Sequence, residues 1–287
     1  MMEQGLFNKV VADRIMEFMP PIYEDYIPTI ETINKVNEVK TALMLLPEER
    51  NSYTPSPMVY LEDMYEIFKE DEDLDEVLRL IANIFMNHIR RPYEFDDIDF
   101  SFKDYKDKVV MQIINTERNT QLLENLPHRN IINMSVIYRV VMRCNEEGID
   151  TILVNEAMMQ ELGVDMRQLH SLAVKNTKEI FEPEIYELSA KALMVSNKYQ
   201  TFGATSLMFD DLMSELSERL KDERLYVVPC SIHEFIAVPF DGTDLESLVM
   251  MLAEGNHDFT KEQDILSNSI YLYDAKAGKL SKAASYQ

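Results

Sequence analysis

The sequence predicts an α+β fold in which an antiparallel sheet carries helices packed on one face and the N-terminal half is rich in helix. Two observations lead there. Short β-rich runs lie close enough together to form hairpins, and helical stretches are interspersed among them without strict βα alternation. The chain can also bury a core: 287 residues with 46% hydrophobic content suit one large domain or two small ones.

The first expected element is an amphipathic helix, because Leu6, Val10, Ile15 and Phe18 fall near a helical period and Pro20-Pro21 ends the run. Between Thr29 and Leu46, helical spacing of Ile30, Ile33 and Val36 competes with a hairpin turned at Lys35-Val36-Asn37-Glu38, and the hairpin is preferred. After Met58-Val59-Tyr60-Leu61 come a helix-like stretch from Asp63 to Phe68 and the acidic run Glu70 to Asp73. A helix from Leu74 to His88 then places Leu74, Val77, Leu78, Ile81, Ile84 and Phe85 on one face. Tyr93 to Tyr105, acidic and aromatic, reads as a surface loop anchored by its rings, and a helix closed by Pro127 is expected from Lys106 to Leu126.

Strand character rises beyond that proline. Met134 to Met142 and Thr151 to Val154 read as strands around a turn at Glu146-Glu147-Gly148. Helices from Glu156 to Leu162 and Asp165 to Phe181 follow, with Gly163 suited to a left-handed cap between them. The last part reads as strand Ala192 to Tyr199, helix Thr205 to Glu223, strands Leu225 to Val228 and Phe235 to Pro239, helix Asp244 to Gly255 and strand Ile270 to Tyr273. A seam near Asn125 to Arg129 separates a mostly helical region with its hairpin, residues 1–125, from a strand-rich α+β region, 126–287, unless the two form one continuous domain.

Charge sets the first functional limits. Against 28 basic residues stand 51 acidic ones, and the resulting −23 repels nucleic-acid backbones and anionic membrane surfaces. Direct nucleic-acid binding is not expected, and no apolar run approaches the roughly 18 residues of a membrane span. Cys144 and Cys230 lie far apart in a chain that opens Met1-Met2-Glu3 without an apolar signal core, which predicts reduced thiols and a cytoplasmic location. There is no Gly-rich phosphate loop, G-x-S-x-G, H-E-x-x-H or C-x-x-C, so no cofactor is expected. His88, His128, His170, His233 and His257 are all isolated, so no metal site is expected either.

Two segments hold residue types that carry chemistry. Pro127-His128-Arg129-Asn130 offers His128 and Arg129 to an anion at a chain break, although a helix stop with a capping histidine is the preferred reading. Pro229-Cys230-Ser231-Ile232-His233-Glu234 gathers a thiol, a hydroxyl, an imidazole and a carboxylate between two apolar strands, the groups of nucleophile and base chemistry. The competing reading is a turn held by local hydrogen bonds of Ser231 and His233.

The run Leu225 to Pro239, LYVVPCSIHEFIAVP, resembles the signature of a family of uncharacterised proteins from gut-dwelling anaerobic bacteria, a domain of unknown function. Further matching pieces are Pro57 to Leu61, Ile114-Asn115 with Asn119, Leu126-Pro127-His128-Arg129, Ala173 with Asn176-Thr177, Gly203-Ala204, Leu266-Ser267 and Tyr271 to Asp274. The resemblance spans about Phe7 to Asp274, favours the hairpin at Thr29 to Leu46 and implies no activity. Cys230 stands where relatives tend to have Ser, and Lys35-Val36-Asn37-Glu38 departs from a more Asn-Gly-like turn.

Two function classes remain. The first is a non-enzymatic interaction protein with an unknown protein partner, supported by the acidic excess and by 19 Met able to adapt at a contact face. Its sharper form is mimicry of nucleic acid by Glu66 to Glu76 with Asp96, Asp97 and Asp99. The second is a hydrolase-like enzyme using His233 and Glu234, with His128 as the candidate third group.

Overall fold

The computed structural model describes residues 2–47, 58–89, 102–145 and 148–286. The chain divides into two compact units, Met1–Lys35 with Val39–Phe100, and Val36–Glu38 with Ser101–Gln287. Asn125 and Leu126, beside the seam read in the sequence, both belong to the second unit.

In the first unit, α1 (Gln4–Arg14) runs into a 3₁₀ turn at Ile15–Phe18. Strands β1 (Tyr26–Lys35), β2 (Glu38–Pro47) and β3 (Met58–Tyr60) form a sheet in that order. The stretch Thr29 to Leu46 is therefore strand, turn and strand, and Asn37 takes the left-handed φ of 60° that its short polar side chain tolerates. Helices α2 (Leu61–Asp71) and α3 (Leu74–Ile89) complete the unit. Phe7, Val11 and Ile15 of the N-terminal segment, Leu61, Met64 and Phe68 of α2, and Val77, Leu78, Ile81 and Phe85 of α3 meet Leu43, Leu45 and Val59 of the strands. Spacings of three and four on the helices and two on β2 bring these side chains to one side.

The second unit begins with β4 (Val109–Asn115), α4 (Thr120–Leu123), β5 (His128–Ile131), β6 (Met134–Asn145) and β7 (Gly148–Leu153). The long β6 pairs antiparallel with β4 along one edge and with β5 and then β7 along the other. The helix expected from Lys106 to Leu126 is corrected here to a 3₁₀ turn (Phe102–Lys108), β4, a second 3₁₀ turn (Glu117–Asn119) and the single turn of α4. Every residue of β4 is buried, so its apolar run shows neither alternation nor a helical stripe, and periodicity cannot assign it. Of the loop expected at Tyr93 to Tyr105, residues 93–101 lie outside the described residues, as do Glu146 and Glu147, and Phe102 is buried in the first 3₁₀ turn.

Helices α5 (Glu156–Glu161) and α6 (Met166–Ile180) are capped by Asn155 and by an Asp165–Gln168 capping box, with Gly163 at φ 64° between them. The chain continues through β8 (Pro183–Ser189), β9 (Ala192–Asn197), a 3₁₀ segment (Gly203–Met208), α7 (Asp210–Leu220), β10 (Arg224–Pro229), β11 (Phe235–Pro239), α8 (Leu245–Asp258), β12 (Ser269–Asp274) and β13 (Lys279–Ser285). These strands form an antiparallel sheet in the order β13-β12-β10-β11-β9-β8. Helix α8 lies on the face made by Tyr226, Val228, Val238 and Ile270. The helix expected from Thr205 to Glu223 is interrupted at Phe209, and β5, β8 and β13 had no sequence signal. Strands β8 and β13 form the two edges and are largely exposed, so neither carries an apolar pattern.

Strand β4 lies at the edge of its sheet yet is buried, so its outward backbone groups must find partners other than water. Side chains supply them. Asn176 Nδ2 donates to Val109 O at 2.9 Å, Met111 N donates to Thr177 Oγ1 at 2.8 Å, and Ile113 N donates to Thr205 Oγ1 at 3.2 Å. Asn119 Nδ2 closes the row by donating to Asn115 O at 2.7 Å.

A Thr177→Val substitution keeps the shape but leaves the Met111 N–H without an acceptor. It is expected to cost about 1 to 3 kcal/mol in urea unfolding, with an unchanged m-value.

Candidate functional site

The segment Cys230 to Glu234 connects β10 and β11, whose register runs from Leu225 opposite Pro239 to Pro229 opposite Phe235. The backbone amides of Cys230 and Ser231 both donate to Glu234 O, at 3.1 and 3.2 Å. Ser231 Oγ donates to Glu234 Oε1 at 2.6 Å and accepts the His233 amide at 2.9 Å. The carbonyl of His233 accepts Ser196 Oγ at 2.9 Å. The Ser231 hydroxyl and one Glu234 carboxylate oxygen are thus engaged within the turn.

The His233 imidazole is fixed from both sides. The Phe202 amide can only donate, so Nδ1, 3.2 Å away, is the acceptor and Nε2 carries the hydrogen. Nε2 faces Asp264 Oδ1 at 3.3 Å. The ring stacks on Phe202 at 6.4 Å with an interplanar angle of 21°. Close packing demands a glycine next: a Cβ on Gly203 would stand 2.3 Å from the His233 carbonyl oxygen. The neutral ring therefore has no lone pair left for a substrate proton.

Cys230 is also unsuited to nucleophilic work. Burial, reinforced by the charge of Glu234, pushes its thiol up to about 12, and its Sγ lies 3.7 Å from Val228 O.

His128 and Arg129 sit in β5 on the other sheet of the unit, and among the described residues no hydrogen bond or ring contact joins either to His233. His128 Nδ1 lies 2.8 Å from Leu126 O, a bond that closes the preceding turn, while Arg129 is exposed. His170, 3.0 Å from the Tyr138 hydroxyl, is drawn below the usual histidine value first by burial and then by the charge of Arg129.

The sequence reading passed over Arg139. This residue lies in β6 on the face shared with Gln112 and Thr151; Nε donates to Gln112 Oε1 at 2.6 Å and Nη1 to Thr151 Oγ1 at 2.8 Å. Its guanidinium carbon lies 5.3 Å from the centre of the Phe202 ring. The three side chains form a polar row between two apolar clusters, one containing Ile114 and Ile137, the other Val110, Val141 and Phe181. Desolvation lowers the Arg139 pKa to about 10, so the group stays charged at neutral pH. Phe202 itself holds a left-handed φ of 57°, which a bulky residue adopts only under constraint. The available signal was an arginine inside the strand Val136-Ile137-Tyr138-Arg139-Val140-Val141, where an isolated charge must point into a covered face.

Among the described residues no group of three or more His, Cys, Asp or Glu side chains is placed to hold a metal ion, and no helix is long and apolar enough to cross a membrane. The model of a family of unknown function, DUF5688, matches residues 5–193 and 188–275. The chain belongs to DUF5688. No curated protein and no solved structure shows significant similarity to this DUF5688 member.

Replacing His233 with Ala removes the acceptor of the Phe202 amide and the partner of Asp264. It is expected to destabilise the protein by about 1 to 3 kcal/mol, seen as a lower melting temperature; a variant that melts with the wild type would contradict the structural role. In a Cys144→Ser background, Cys230 of native protein is expected to alkylate with iodoacetamide at pH 8 far more slowly than in 6 M guanidinium, because burial suppresses its thiolate.

Proposed function

We propose that this protein is a non-enzymatic interaction protein whose partner presents a basic surface, and that the His233 turn serves to hold the fold. The observation that carries the reading is the acidic corner at the end of α2. Glu70, Asp71, Glu72 and Asp73 follow one another and are all exposed. The first three lie at the C-terminal end of the helix, where the backbone dipole is negative and carboxylates are unfavourable. Glu72 also occupies the left-handed cap at φ 54°, a position that favours Gly or Asn. Asp73 has a local role, accepting the Glu76 amide at 3.0 Å in the first turn of α3.

A sequence selected for stability alone would place Gly or Lys in that turn. The arrangement makes sense where a partner supplies the missing positive charge. Composition points the same way: with an excess of 23 acidic over basic residues, at least that many carboxylates lack a cation within the chain even if every Lys and Arg pairs with one. The hydrolase reading would require a free base at His233, whose ring nitrogens are both engaged.

A triple variant, Glu70→Gln, Asp71→Asn and Glu72→Gly, is expected to gain about 1 kcal/mol or more in urea unfolding, from relief of the left-handed glutamate and of the charge at the helix end. The same variant, immobilised beside wild type in native cell extract, is expected to lose a basic protein that wild type retains at low salt and releases near 0.5 M NaCl. Equal capture by both proteins would refute the reading.

A further inference from the structure

Helix α8 covers the sheet with Leu248 and Leu252 and leaves its other side open. Along the margin of that side Met251, Gly255 and Phe259 follow at spacings of four, which sets them in one ridge that runs past the C-terminal end of the helix. Met251 is exposed, and Phe259 is 86% exposed. The backbone beneath the ring is nonetheless fixed. The amides of Phe259 and Thr260 both donate to Gly255 O, at 3.1 and 3.0 Å, and Thr260 Oγ1 donates to Cys230 O at 3.2 Å. An aromatic side chain presented to solvent from an anchored turn has the character of a binding anchor.

Gly255 is an independent sign. It lies inside α8, where glycine weakens a helix relative to alanine. The fold itself does not require it, because a Cβ here would meet no atom within 4 Å, whereas one on Gly203 would strike the His233 carbonyl. The missing side chain leaves a notch between Met251 and Phe259, and such a notch lets another backbone come close.

Charge defines what fits there. Helix α8 carries no Lys or Arg, while Glu246, Glu254 and Asp258 are all exposed. Glu254 and Asp258 flank the notch, one residue before Gly255 and three after it. Asp258 lies 2.6 Å from His257, and among the described residues Glu246 and Glu254 form no ion pair. Exposed Met250 stands four residues from each glutamate. From Asp244 to Glu262 the chain holds five carboxylates against a single lysine, Lys261. A second copy of the chain would set these carboxylates against one another, so the complement is basic.

We propose that the outer face of α8 docks an amphipathic helix of a partner protein. A small residue in the apolar stripe of that helix sits at Gly255 between Met251 and Phe259, and its Lys or Arg side chains meet Glu246 and Glu254. Met250 and Met251, unbranched and adaptable, fill the remaining contact. The proposal rests on the reading of this chain as an interaction protein and is independent of the acidic corner on α2, which belongs to the other unit.

The probe is a fluorescent synthetic peptide of Leu, Ala and Lys set at helical period, with Ala at the centre of its apolar stripe and Lys along both flanks. It is titrated with the full chain and followed by anisotropy, beside a scrambled peptide of the same composition. Wild type is expected to bind the patterned peptide at least about tenfold more tightly than the scrambled one. Phe259→Ser is expected to erase that difference with an unchanged melting temperature. Gly255→Gln is expected to raise the melting temperature by about 2 °C through better helix propensity, and to weaken the patterned peptide about tenfold by filling the notch. The variant Glu70→Gln, Asp71→Asn, Glu72→Gly is expected to bind as wild type does, and loss of binding there would move the peptide to the corner on α2 and overturn the proposal. Equal affinity for the two peptides, or Phe259→Ser and Gly255→Gln variants that bind as wild type does, would overturn it too. So would a wild-type dimer in sedimentation that Phe259→Ser converts to monomer, since a second copy would then cover this face.

Discussion

The second unit depends on one constraint: β4 is an edge strand with no access to water. A backbone amide left unpaired in such a place costs on the order of a hydrogen bond, about 1 to 3 kcal/mol. Among the described residues no further strand covers that edge, and asparagine and threonine side chains do so instead. Thr177 and Asn176 require α6 to lie along β4. Thr205 requires the 3₁₀ segment after Phe202 to lie there too.

From that placement the rest of the candidate site follows. Once Thr205 is held, Gly203 is pressed against the His233 carbonyl, and Phe202 is forced into the left-handed region with its amide directed at His233 Nδ1. The Phe202 ring then touches both the imidazole, on which it stacks, and the Arg139 guanidinium. The loop before β12 is tied in by the same chemistry: Asn115 Nδ2 donates to Leu266 O, and Asn37 Nδ2 donates to the carbonyl of Ile265 at 2.8 Å. Asp264, which faces His233, belongs to this loop, and its own carbonyl accepts the Ile232 amide at 2.8 Å.

The network runs through several of the residues quoted for the family resemblance. Asn115, Asn119, Asn176, Thr177 and Gly203 were among the residues that carried it, and each either satisfies the β4 edge, tethers a loop to it or permits the approach to His233. The DUF5688 match covers residues 5–193 and 188–275, so all five positions lie within it.

Local order decided what the sequence could show. The capping box at Asp165, the left-handed Gly163, the α3 stripe and the pairing of Leu225–Val228 with Phe235–Val238 all arise from neighbours within a few residues, so their patterns were legible. The acidic excess was legible too, since charge is additive along a chain. Tertiary packing decided the rest. Strand β4 was hidden because burial on both faces erases periodicity, and β8 and β13 because exposed edges need no apolar pattern. The roles of His233 and Arg139 depend on Phe202, 31 residues from the first and far from the second in sequence, and on Asp264, Gln112 and Thr151 brought in from other elements. A polar side chain reads as reagent or as brace according to which of its donors and acceptors are already taken, and only the folded chain fixes that.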